Sequence, residues 1–157
     1  MLPSLPARLA GVTLAIGVAA VPAATLAQDF DNQIAARQGQ MRVQALNFGT
    51  LSAMVRGQME YDAETAQAAA NNLAAIAMLD QRFAWPEGSS LMDVDSTQAM
   101  PDIWDDFDAF LAEWNGFVSA AQELQAVAGD GPEALGAGVQ ALGRTCGSCH
   151  ETYQQDN

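Results

Sequence analysis

Apolar side chains recur along most of this chain with the period of a helix, and nowhere alternate as in a strand. The clearest pattern lies between Asp102 and Ala128, where Ile103, Phe107, Phe110, Trp114, Phe117, Ala121 and Leu124 are spaced 4-3-4-3-4-3. It predicts a helix ended by Gly129, with Asp102, Asp105 and Asp106 in the first turn, where the helix dipole favours anions. A first helix is predicted from Phe30 to Val55. Ile34, Met41, Phe48 and Val55 recur there every seven residues, Ala45 and Ser52 form the neighbouring stripe, and Gly57 closes the pattern. A second is predicted from Ala63 to Phe83, with Asp62 as N-cap, Ala66, Leu73, Ile76 and Phe83 inward, and Trp85-Pro86 as the stop. A fourth runs from Pro132 to Gln154, with Pro132 at the first helical position and Leu135, Val139, Leu142, Cys146, Cys149 and Tyr153 on one side.

Helices of this size are each about 30–40 Å long. Short joints after the first and third favour antiparallel neighbours, and the stretch from Ala84 to Pro101 is left to span the length of a bundle or wrap its end. The expected fold is all-α: an antiparallel four-helix bundle with one long crossover between the second and third helices. There is no internal repeat. Asp93-x-Asp95 lacks the later ligands of a calcium loop and reads as solvated turn.

Residues 1–27 break the pattern. Arg8 is followed by an apolar run from Leu9 to Ala24, then Thr25-Leu26-Ala27 offers small residues at −3 and −1 of a cut before Gln28. This is the layout of a secretory signal peptide; an uncleaved anchor is the alternative, but the run is short for a span. Residues 28–157 then form the single domain, exported to the periplasm if the source is bacterial. No other stretch is apolar and long enough to cross a membrane.

Charge narrows the function. Six arginines and no lysine face 19 acidic residues, a net charge of −13. That balance excludes nucleic acid as a partner, since a phosphate-binding surface needs clustered cations. Two cysteines exclude a disulfide-rich scaffold. No carboxylate pair, nucleophile–base set or phosphate loop is present, so the chain does not read as an enzyme.

One constellation carries specific chemistry: Cys146-Gly147-Ser148-Cys149-His150. C-x-x-C-H is the attachment signature of c-type haem. On a helix, Cys146, Cys149 and His150 stand at i, i+3 and i+4 and share a face, so two thiols meet the vinyl groups of one porphyrin and the imidazole meets its iron. Gly147 and Ser148 leave room for the ring. His150 is the only histidine in the chain and so the metal ligand. Three alternatives use the same residues. A thioredoxin-type pair belongs at a helix start after a strand. A structural disulfide would close only a tiny loop. A zinc site lacks an obvious fourth ligand.

With that motif at the end of a helical, exported chain, the sequence resembles the cytochromes c′, bacterial four-helix-bundle cytochromes with C-x-x-C-H in the last helix. The likeness covers nearly all of the mature chain, through Arg37-Gln38-Gly39-Gln40-Met41, Met54-Val55-Arg56-Gly57, Pro101-Asp102-Ile103-Trp104 and Cys146 to Tyr153. The resemblance implies thioethers at Cys146 and Cys149 to one haem c, His150 as proximal ligand, and Met41 over an open distal face. It also implies Arg37 near a haem propionate, Phe48 packed toward the ring, and a homodimer through the first two helices. Nitric oxide and carbon monoxide would be the ligands of a five-coordinate iron in an apolar pocket. Electron exchange with a redox partner protein is a further implied role. The competing reading is a six-coordinate His/Met electron carrier with Met41 on the iron. Many members carry a basic residue four positions after the histidine; here it is Gln154.

Overall fold

The structure, a computed structural model, describes residues 30–156; residues 1–27, expected from the sequence to be a signal peptide, lie outside the described residues. Five α-helices account for the regular structure: α1 (Asp31–Val55), α2 (Ala63–Ala77), α3 (Asp102–Asp105), α4 (Phe107–Val127) and α5 (Pro132–Tyr153). The four long ones form a closed ring in which α1 packs on α2, α2 on α4, α4 on α5, and α5 on α1. Pairwise contacts fix the directions. Asn72 donates to Asn47 and Gln81 to Gln40, so α2 runs against α1. Tyr61 reaches Ala128, Gln67 reaches Gln125, and the Trp114 indole donates to the Ala77 carbonyl, so α4 runs against α2. Ser148 meets Glu113, and a Cβ added at Gly138 would lie 2.7 Å from Leu124 Cδ1, so α5 runs against α4 at close approach. The expected antiparallel bundle is what forms.

The main core is built from Leu51 and Met54 of α1, an alanine-rich face of α2 around Leu73, Trp114, Phe117 and Leu124 of α4, and Leu135, Val139 and Leu142 of α5. The alanines let α2 approach its neighbours closely, while Trp114 and Phe117 of α4 are the largest side chains of this core.

Three details depart from the periodicity. The second helix stops at Ala77, not Phe83, because Asp80 captures the Arg82 N–H (3.0 Å) and starts a separate 3-10 turn over Gln81–Phe83. Phe83 is consequently 81% exposed, not buried. The third helix is broken at Asp106, whose backbone (φ −144°, ψ 81°) leaves the helical region while its carboxylate caps the Ala109 N–H at 3.0 Å. In α1 the heptad reading holds at Ile34 but drifts off the core by Val55, 43% exposed, and Ala45 is exposed too; Leu51 and Met54 take the buried positions. A straight α-helix slips about 20° per heptad, which accounts for the drift.

The crossover, residues 78–101, begins and ends at the same end of the bundle, so it wraps that end. It is tied to the C-terminus by a bridge between Ala99 and Gln154 and by bonds from Met100 N to Tyr153 O and Gln155 N to Gln98 O (both 2.9 Å). The opposite end is closed by Tyr61, whose hydroxyl donates to Ala128 O and accepts from Gly131 N, both at 3.0 Å. Tyr61→Phe removes both bonds and should lower stability by about 1–2 kcal/mol, seen as a reduced urea midpoint with unchanged m-value.

Candidate functional site

Near its C-terminus, α5 presents Cys146, Cys149 and His150 on one face, one turn before the crossover's tie to Gln154. Both thiols are free and half-buried, and the imidazole is accessible. Burial raises the Cys146 thiol. It also pushes Cys149 up to about 11, with help from the nearby negative charge of Glu113 and from Cys146. A redox-active C-x-x-C pair needs the opposite shift, toward thiolate. Among the described residues, no group of three or more His, Cys, Asp or Glu side chains gathers to hold a bare metal ion, which leaves the zinc reading without its ligand set.

Two cavities meet at this face. The larger, about 550 Å³, opens under the crossover and is walled by Arg37, Trp85, Thr97, Ile103, Phe110 and Tyr153. The smaller, about 200 Å³, lies deeper between helices and is walled by Gln44, Phe48, Leu73, Phe117, Leu142 and Cys146. Met41, Trp114, Cys149 and His150 line both. The residues expected from sequence to form the site (Arg37, Met41, Phe48, Cys146, Cys149 and His150) therefore each border one or both of these neighbouring cavities.

Arg37 is buried in the wall of the larger cavity. Its Nη1 donates to Ser89 Oγ (2.9 Å), and its Nη2 to Ser89 O and Thr97 Oγ1 (both 2.7 Å). The guanidinium lies 4.5 Å from the Trp85 ring centre and 6.0 Å from that of Trp104. Desolvation lowers its pKa to about 10, so it stays charged at neutral pH. Three donor contacts and two aromatic faces make Arg37 a fastener for the crossover as well as a cation at the cavity. Gln154 fills a comparable role without charge: its amide donates to Gln98 Oε1 at 3.1 Å.

In the smaller cavity Phe48 reaches α5 because Gly143 has no side chain. A Cβ there would sit 3.2 Å from Phe48 Cζ. Glu113 accepts from the Ser148 hydroxyl at 3.0 Å. Gln44, which the sequence reading passed over, has a buried amide Nε2 with no hydrogen-bond partner. It lies three residues beyond Met41 and seven beyond Arg37, so the helical spacing that links those two residues also points to it.

A planar, largely apolar group bearing two points of covalent attachment fits this arrangement. The thiols stand one turn apart at the junction of the cavities, one imidazole is beside them, and the walls are aromatic with a buried cation at the open end. A total of several hundred Å³, apolar with a few placed polar groups, is what a cofactor-sized ligand requires.

Comparison with known proteins agrees with this geometry. The family model described as Cytochrome C' matches residues 32–154. The chain is 40% identical over 143 residues to the cytochrome c′ of Cereibacter sphaeroides, covering 91% of this chain and 96% of that protein. Cytochrome c′ from Rhodobacter Spheriodes superposes with a TM-score of 0.80 at 37% identity, covering 83% of this chain and all of that one. The nitric oxide complex of a mutant cytochrome c prime from Alcaligenes xylosoxidans superposes with a TM-score of 0.72 at 27% identity, covering 82% and 98%.

Proposed function

The chain belongs to the cytochrome c′ family, and from that premise we propose that it is a periplasmic haem protein that binds small gases at a five-coordinate iron. Haem c is its prosthetic group, and when bound it supplies an iron with one position open to a diatomic ligand. Cys146 and Cys149 hold the ring through thioethers, which prevents its loss. His150 is the proximal ligand, being the one imidazole in the chain. Arg37, clamped by Ser89 and Thr97, would offer its positive charge to a propionate. Phe48 and Trp114 would exclude water from the ring.

The observation that carries this reading is the 200 Å³ cavity beside Met41, Cys149 and His150. The haem would occupy much of this space, and a small ligand would then meet the mostly apolar side chains around Met41, an environment that suits nitric oxide and carbon monoxide. The nitric oxide complex of the related mutant supports the same ligand class. Ser148 donates a hydrogen bond to Glu113, and a histidine held on the iron could not serve as its base, so binding or electron exchange with a partner protein describes the site better than enzyme catalysis. Val43 and Leu46 on the outer face of α1, the latter 71% exposed, with Met78 and Leu79 just after α2, form the surface on which a second copy would dock.

One observation favours a second reading. Met41 lines both cavities together with His150, which brings a thioether to the same space as the imidazole. In that case Met41 would ligate the iron and the protein would be a six-coordinate electron carrier. Met41→Ala separates the two. On the gas-binding reading the ferric optical spectrum is nearly unchanged and ligand association speeds up, because a bulky group has left the binding side. Conversion from low spin to high spin in the variant would establish the second reading.

A further inference from the structure

The smaller cavity is not uniformly apolar. Among the described residues one buried side-chain nitrogen or oxygen lacks a hydrogen-bond partner, and it is Nε2 of Gln44. Other buried amides nearby are satisfied: Asn47 donates to Val43 O at 2.8 Å and Gln81 to Leu79 O at 2.9 Å. Gln44 is 9% exposed and lines the smaller cavity. Outside the Cys146, Cys149 and His150 motif, the other polar side chains of that wall have partners, the Trp114 indole donating to Ala77 O at 2.9 Å. Glu113 accepts from Ser148, and the Thr145 hydroxyl donates to Leu142 O at 2.8 Å. An amide N–H left unpaired in such a place destabilises the fold unless something in the cavity accepts from it.

We propose that Gln44 is a hydrogen-bond donor to the diatomic ligand, and so a residue that sets ligand preference in this protein. The inference rests on the gas-binding reading above. The helix geometry supports it: Gln44 is one turn from Met41 on the rigid α1, while the imidazole comes from α5. A ligand bound between α1 and α5 would therefore meet the groups that α1 presents to the cavity, a thioether and one amide donor. Ligands whose outer atom gains negative charge on binding profit most from that donor.

The test uses carbon monoxide on the purified ferrous holoprotein, with Gln44→Leu and the unbranched Gln44→Met as variants. The infrared C–O stretch of the wild type is expected at lower wavenumber than in either variant, and to shift in deuterated water only in the wild type. Carbon monoxide dissociation is expected to be roughly two- to tenfold faster in the variants, the effect of one neutral hydrogen bond. Should a variant fail to fold, the isotope shift of the wild type alone decides. Identical bands with no isotope shift would overturn the proposal and leave gas binding intact, assigning the amide to water or to the ring edge. A holoprotein that takes up no carbon monoxide would overturn both.

Discussion

Exchanging Cys146 and Cys149 together for serine is expected to abolish covalent haem attachment completely, so that acidified acetone extracts all of the pigment. The wild-type haem should resist the same extraction. The intact mass of the double variant should equal that of the bare polypeptide, and each single variant should retain one thioether. The expectation follows from the geometry of α5. Its two thiols are one helical turn apart on the face that borders both cavities, and both are neutral at physiological pH. They are placed to bond a group lying in that space and not to exchange with other thiols. Retention of haem by the double variant under acid acetone would mean that the attachment lies elsewhere.

Phe110→Ala should destabilise the folded protein by about 3–5 kcal/mol, the usual cost of removing a fully buried aromatic ring. Phe110 is 2% exposed, and its ring lies 4.9 Å from that of Trp85 and 5.4 Å from that of Tyr153, both edge-on. It joins three segments at one point: the crossover, α4 and the end of α5. Its loss should also loosen the wall of the larger cavity. Urea unfolding of the holoprotein measures the effect. A change under 1 kcal/mol would show that the crossover is held mainly by Arg37 and the backbone ties to the C-terminus.

That Cys146, Cys149 and His150 come together at the cavities was legible in the sequence because their placement is coded by local spacing. Two cysteines and a histidine at i, i+3 and i+4 share a helix face wherever the helix goes. The bundle was legible for a related reason, since the 4-3 repeat of α4 fixes its buried side almost residue by residue. Phe83 was misplaced because hydrophobicity alone does not report a local competitor, here the Asp80 carboxylate that ends the helical run before the ring is reached. Asp106 was read as favourable first-turn charge when its side chain in fact starts a new helix. The course of the crossover was the least legible. It depends on long-range partners such as Arg37 with Ser89 and Thr97, and no period encodes those. Gln44 was hidden for a different reason: a polar residue on a helix face reads as solvated until the burial around it is known.

The proposed centre is a haem linked to α5 with room for a gas beside Met41. The optical spectrum of the purified protein, ferric and ferrous, before and after nitric oxide, is its most direct test. A Soret band with high-spin features in both oxidation states is expected, with a clear change when the gas is added. A low-spin spectrum unmoved by nitric oxide, or no Soret band at all, would contradict it.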